Sequence, residues 1–153
     1  MRRYLLDTGI LVHYARQSEL YKEIEANENL SAADCVPLIS VATQAEILSF
    51  GIQHNWGARK LQAIQTLFTK LIVIDINSAD TDLLSAYAEI DAYSKGNLPG
   101  SPLPNGQSAI TMGKNDLWMA AMAKVASAKL LTIDGDFDHL NGKFIDVIKY
   151  KQQ

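Results

Sequence analysis

Three acids stand almost alone in this chain. Asp7 follows the apolar run Tyr4-Leu5-Leu6, Glu46 precedes an acid-free stretch from 47 to 74, and Asp116 follows another from 92 to 115. A fourth, Asp134, closes the run Leu130-Leu131-Thr132-Ile133. A charge in apolar surroundings must be compensated, because leaving water unpaired is costly. Each acid also has a plainer role: Asp116 could complement a helix dipole, Glu46 could complete a capping box, and Asp134 could shape a turn. Asp7 is harder to explain in this way, because an acid ending a buried apolar strand has few reasons to be there. Gathered together, the four carboxylates would repel and raise one another's pKa. A divalent cation removes that penalty, and oxygen-only ligands suit Mg²⁺ or Mn²⁺ rather than Zn²⁺. The natural chemistry of such a set is phosphoryl transfer on a nucleic-acid backbone, where the cation activates water and stabilises charge on the phosphate.

The elements that must position these acids can be read from periodicity. Residues 4–6 form a buried strand ending at Asp7, and a short helix follows over 10–16. Residues 19–29 read as a weakly amphipathic surface helix. Residues 36–41 are strand-like, and Thr43-Gln44-Ala45-Glu46 has the form of a capping box opening a helix to about Gln53. Leu61, Ile64, Leu67, Phe68 and Leu71 recur at helical spacing after Gly57. Residues 72–76 form a strand, Ser78 caps a helix reaching Tyr93, Asn115 caps a helix over 116–127, and 130–133 and 144–148 are strands. Between them, residues 94–113 hold Pro99, Pro102 and Pro104, a density no helix or central strand sustains. A loop of that length is often a lid or binding segment. Strands alternating with helices imply βαβ units, a mostly parallel sheet and helices on both faces. In such sheets ligands bind beyond the carboxyl ends of the strands, the edge to which all four acids belong.

Length and composition bound the rest. The chain has 153 residues, 48% of them hydrophobic and 20% charged, which fits one α/β domain over 1–153. It excludes a disordered tail, a rod and a disulfide scaffold; the single Cys35 reads as core in a reducing, cytoplasmic setting. No apolar run approaches the roughly 20 residues of a membrane span, and Asp7 interrupts any signal-like start. The net charge of −3 argues against a nucleic-acid partner only superficially. Without the four isolated acids, 14 cations face 13 acids.

Four stretches together resemble a known family. Leu5-Leu6-Asp7-Thr8, Thr43-Gln44-Ala45-Glu46-Ile47, Asn115-Asp116-Leu117-Trp118-Met119-Ala120-Ala121-Met122-Ala123 and Leu131-Thr132-Ile133-Asp134-Gly135-Asp136-Phe137 look like PIN domains, closest to the VapC-type toxins of bacterial toxin–antitoxin pairs. The resemblance spans nearly the whole chain. It implies a three-layer α/β/α sandwich and a Mg²⁺- or Mn²⁺-dependent endoribonuclease that leaves a 5′-phosphate. Asp7, Glu46, Asp116 and Asp134 match the acidic quartet. Asp136 matches a position that helps through a bound water, and Thr8 a hydroxyl that orders the site. Asn115 and Thr132 lie inside the matched stretches and are expected to support the acids. A small antitoxin partner and a homodimer are implied as well.

Two features depart from the family pattern. Gly9 stands where Asn or Ser is more usual, and the 94–113 segment is longer than the usual connection. The expectation is that this acid-free loop, with Lys95 and Lys114, flanks the acid edge and contacts RNA or a partner. The competing readings are a catalytically weak PIN-domain binding module and a DNA-directed nuclease, since no residue here reads a 2′-hydroxyl. Asp7-Thr8-Gly9 also occurs in aspartic proteases, but those are all-β, unlike this helix-rich pattern. His13, His54 and His139 lack zinc-ligand spacing; His139 reads as a solvated surface residue, and Trp56 as an indole exposed at a helix junction.

Overall fold

The computed structural model describes residues 1–152. Five strands, β1 (Arg2–Leu6), β2 (Cys35–Ser40), β3 (Ile72–Ile74), β4 (Lys129–Thr132) and β5 (Val147–Lys149), form one sheet in the order β3-β2-β1-β4-β5. Every pairing is parallel. The chain builds outward from β1 through β2 to β3, then returns to the other side of β1 for β4 and β5. The order therefore reverses at β1/β4, the place where parallel sheets open a crevice.

Six helices connect the strands: α1 (Thr8–Arg16), α2 (Glu19–Glu28), α3 (Val41–Gln53), α4 (Ala58–Thr69), α5 (Thr81–Ser94) and α6 (Lys114–Ala126). Successive side chains of a strand point to opposite faces. In β1, Tyr4 and Leu6 join Ile10, Leu11, Leu20, Ile24, Ile47 and Ile64 on the α1–α4 face. Leu5 joins Leu83, Ile90 and the small residues Ala120, Ala121 and Ala123 on the α5–α6 face. Both faces of the sheet are thus covered, which produces three layers and explains why the strands read as continuous apolar runs. No helix is long and apolar enough to cross a membrane, among the described residues.

Three expected helix starts are displaced, each for a local reason. α3 begins directly off β2, capped by Ser40, whose Oγ accepts from the Ala42 N–H at 3.1 Å. Thr43 therefore lies inside the helix, where its buried hydroxyl donates to Met119 Sδ at 3.5 Å. Asp80 rather than Ser78 caps α5, accepting from the Leu83 N–H. Gly113 rather than Asn115 precedes α6. The two corrections at α3 and α6 free Glu46 and Asn115 from capping. Residues 95–113 are irregular as expected, but Leu98, Leu103 and Ile110 pack on the α5–α6 core.

Candidate metal and nuclease site

Asp7 occupies the end of the central strand. Its backbone N–H donates to Leu131 O at 3.0 Å, continuing the β1–β4 ladder by one residue. Its side chain caps α1, with Oδ1 accepting from the Thr8 N–H at 2.7 Å. The other oxygen, Oδ2, accepts from Thr132 Oγ1 at 2.7 Å. That same hydroxyl accepts the Asp134 N–H at 3.0 Å, so one buried threonine links the ends of β1 and β4. Asp134 Oδ1 in turn accepts from the Asp136 N–H at 3.0 Å and caps the 3₁₀ turn Gly135–Leu140. Asp134 thus shapes its turn and also stands on the acid edge.

From the opposite side, α3 supplies Glu46. Its Oε1 accepts from Asn115 Nδ2 at 2.8 Å, and its Oε2 accepts from Thr8 Oγ1 at 3.4 Å. Asn115 and Asp116 sit in the first turn of α6. Asp116 lies near enough to Asp7, Asp136, Asp134 and Glu46 to be repelled by all four.

Electrostatics bear the mark of this crowding. Burial pushes the Asp116 carboxyl up to about 7, with repulsion from Asp7, Asp136, Asp134 and Glu46 adding to it. Burial also raises Asp7, against the lowering effect of its Thr132 and Thr8 hydrogen bonds. Glu46 is raised by burial and by Asp7 but held down by Asn115. Asp136 is raised by burial and by Asp134. Asp7, Glu46 and Asp116 are half-buried, while Asp134 and Asp136 are exposed, so the cluster opens to solvent on one side.

As the side chains stand, no three of these acids are gathered closely enough to hold a metal ion directly, among the described residues. That spacing suits Mg²⁺, which keeps several waters and takes one or two protein carboxylates plus substrate oxygens. The donor set is wholly oxygen, contains no histidine or cysteine, and carries more negative charge than it can hold ionised near neutral pH. It fits a hard divalent cation.

The remaining expectations divide. Lys114 begins α6 two residues before Asp116, is exposed, and makes no ion pair among the described residues. Lys95 is committed elsewhere: it pairs with Asp91 at 3.0 Å. Trp56 is half-buried against Phe50, with Lys60 over its ring at 5.0 Å, rather than freely exposed. His139 is not a solvated surface residue. Its Nε2 lies 2.7 Å from the Oγ of buried Ser94, which joins the 3₁₀ turn to the start of the 95–113 loop. Only the spacing of two non-adjacent segments produces that contact, so periodicity carried no signal for it. Gly9 acquires a packing reason: a Cβ there would lie 2.8 Å from Ile133 Cδ1.

This fold, a five-stranded parallel sheet between helices, is shared with solved proteins. VapBC2 from Rickettsia felis, bound to a DNA fragment from its promoter, superposes with a TM-score of 0.70 at 20% identity, covering 96% of this chain and 98% of that one. VapBC-1 from nontypeable Haemophilus influenzae gives 0.67 at 19%, covering 96% and 97%. FitAcB from Neisseria gonorrhoeae gives 0.62 at 22%, covering 95% and 96%. No curated protein sequence matches. The PIN-domain family model matches residues 4–143, and the chain belongs to the PIN-domain family.

Proposed function

We propose that this chain is a Mg²⁺- or Mn²⁺-dependent endoribonuclease and the toxin member of a VapBC-like toxin–antitoxin pair. The observation that carries the reading is Asp7 at the switch point, held by Thr132 and Thr8 with both oxygens accepting, and faced by Glu46, Asp116 and Asp134. Asp7, Glu46, Asp116 and Asp134 would hold the cation between them, one or two directly and the others through its waters, with Asp136 assisting through a water. A bound cation supplies an activated water and charge neutralisation at the scissile phosphate. The chain's own residues do the positioning. Thr132 fixes Asp7 and Asp134 relative to each other, and Asn115 holds Glu46 toward Asp7. Asp116 retains a proton near neutral pH, and a cation would displace it. Lys114 stands where the phosphate backbone enters.

The partner reading rests on the likeness to VapBC and FitAcB complexes. It is supported by exposed apolar side chains on adjoining helices: Leu48 and Ile52 on α3 and Leu61 on α4, with Ile52 81% exposed. Surface of this kind is what a protein partner covers. An antitoxin and a second copy of the chain are both expected partners, in the cytoplasm.

Incubation with a single-stranded RNA and the DNA of the same sequence, in Mn²⁺, tests the activity. RNA should be cut to 5′-phosphate and 3′-hydroxyl ends. Cutting of DNA alone would make it a DNA-directed nuclease, and binding without cutting would make it a binding module. Expression in bacteria should arrest growth, and the Asp7→Asn chain should not.

A further inference from the structure

The same strands that end in acids begin in cations. Arg2 and Arg3 open β1, Lys129 opens β4, Lys124 lies in the last turn of α6, and Lys143 precedes β5. These five, of 14 cations in the chain, line one cleft of about 490 Å³. Asp146 is the single acid on its wall. The cleft lies at the opposite end of the sheet from Asp7, roughly 17 Å away along a five-residue strand.

Some of this charge has a structural task. Arg2 is bound to both Asp34 oxygens, at 3.0 and 2.9 Å, and Lys124 pairs with Glu89 at 3.2 Å. Arg3 Nη1 donates to Ala126 O at 3.3 Å and so satisfies a carbonyl at the end of α6. Lys129 and Lys143 have no carboxylate partner among the described residues, and both are exposed. Lys143 Nζ only reaches Ser101 Oγ at 3.5 Å and the Tyr93 ring at 5.6 Å. Five cations around a concavity, two of them with no acid to answer them, outnumber the acids beside them and focus a positive field into it. The wall also carries half-buried Phe144, whose ring lies under Lys124 Nζ at 5.2 Å and packs edge-on against Tyr93. A cleft of several hundred Å³ that combines cations with an aromatic wall has room for a nucleotide.

We propose that this cleft binds the phosphate groups of nucleotides, carried on a single-stranded RNA or free. The RNA source rests on the nuclease reading; the phosphate chemistry does not. The 95–113 loop favours RNA. It contains no acid, touches Lys143 through Ser101, and ends at Gly113 against the start of α6, where Asp116 lies. A strand cut at the acid edge can therefore run along this acid-free loop to a second hold at the cleft.

The test is fluorescence anisotropy of a labelled 20-nucleotide single-stranded RNA in excess EDTA, so that binding is read without cleavage. The Lys129→Glu/Lys143→Glu chain should bind at least tenfold more weakly than the parent. Its salt dependence should be shallower by about 1.4 in log–log slope, the loss of two phosphate contacts on a single strand. Arg59→Glu/Lys70→Glu, in the first turn of α4 and just past its end, carries the same net charge and should lose less than threefold. Lys129→Gln/Lys143→Gln should weaken binding in the same direction by a smaller factor, which separates a lost site from a misfolded chain. ATP titrated calorimetrically is the second arm. Saturable ATP binding that the cleft pair abolishes, with RNA affinity unchanged, retains the phosphate site and assigns it to free nucleotide. Equal weakening by the cleft and α4 pairs, with no ATP binding, overturns the proposal. Tight, cleft-dependent RNA binding in EDTA, with no cleavage once EDTA is replaced by excess Mn²⁺, would sink the nuclease reading and leave this site standing.

Discussion

The two ends of β1 and β4 differ in more than sign. At the carboxyl end the charges are short side chains at strand ends and on helices, three of them half-buried, and Asp7, Glu46 and Asp134 are fixed by hydrogen bonds. Thr132 alone bonds Asp7 and the Asp134 N–H. At the amino end the charges are long side chains reaching into solvent, and two of them bond to no acid. Holding like charges together out of water raises a carboxyl as far as Asp116 is raised, whereas exposed lysines incur little such cost. The acid end is a matter of geometry, and the basic end is a matter of field. Substitutions should separate the two sharply.

The largest effect belongs to the acids. Asp7→Asn and Asp116→Asn should each lower RNA cleavage by on the order of 10³-fold, the scale seen when a single transition-state-stabilising group is removed. Both should fold, because each removes a charge from a crowded set. Equal cleavage by either variant would show that the acid end is electrostatic in the same loose sense as the basic end. Thr132→Val comes next. Thr132 is fully buried, and without its hydroxyl Asp7 Oδ2 and the Asp134 N–H lose their partner. Activity should fall ten- to a hundredfold, as is typical of residues that orient metal ligands, and stability should fall by about 1–3 kcal/mol.

Protonation offers a third contrast. The Asp116 carboxyl titrates at about 7 in the folded chain against an ordinary 3.8. The folded chain therefore holds a proton that the unfolded chain has already released. That stabilisation is present at low pH and is lost as pH rises through about 7. The melting temperature of the metal-free chain should fall between pH 5 and pH 8, and Mg²⁺ should flatten the fall. Lys129→Glu/Lys143→Glu should leave that slope unchanged. A slope that persists in Asp116→Asn would place its origin elsewhere.

The smallest effect concerns Gly9. Gly9→Ala would press a methyl against the end of the Ile133 side chain, between Thr132 and Asp134; because that end can turn aside and alanine favours helix α1, the net cost in denaturant unfolding should be no more than about 1 kcal/mol. Ile133→Val should recover part of that loss in the double variant. Additive losses would show that the contact does not matter.

How far the sequence alone reached follows the same division. Asp7, Glu46, Asp116 and Asp134 were legible because isolated acids among apolar residues are rare, and alternating strands and helices placed them on one edge. The parallel sheet was legible because both of its faces are buried, so its strands read as unbroken apolar runs. The helix starts at α3 and α6 were misjudged, since Thr43 and Asn115 have capping chemistry but their backbone positions belong to the helix interior. Their true tasks, toward Met119 and Glu46, depend on tertiary contacts. The Ser94–His139 contact and the basic cleft were invisible for the same reason. Residues 2, 3, 124, 129 and 143 form no run, and only the parallel register of Tyr4 with Lys129 brings β1 and β4 to a common start.

The most direct measurement is RNA cleavage by the metal-depleted chain as Mn²⁺ is titrated back, with the parent and Asp7→Asn run side by side. The parent should be silent in EDTA and gain activity along a saturating curve, while Asp7→Asn stays at background. Cleavage by the parent in excess EDTA, or matching curves for the two chains, would contradict a metal-dependent site built on Asp7.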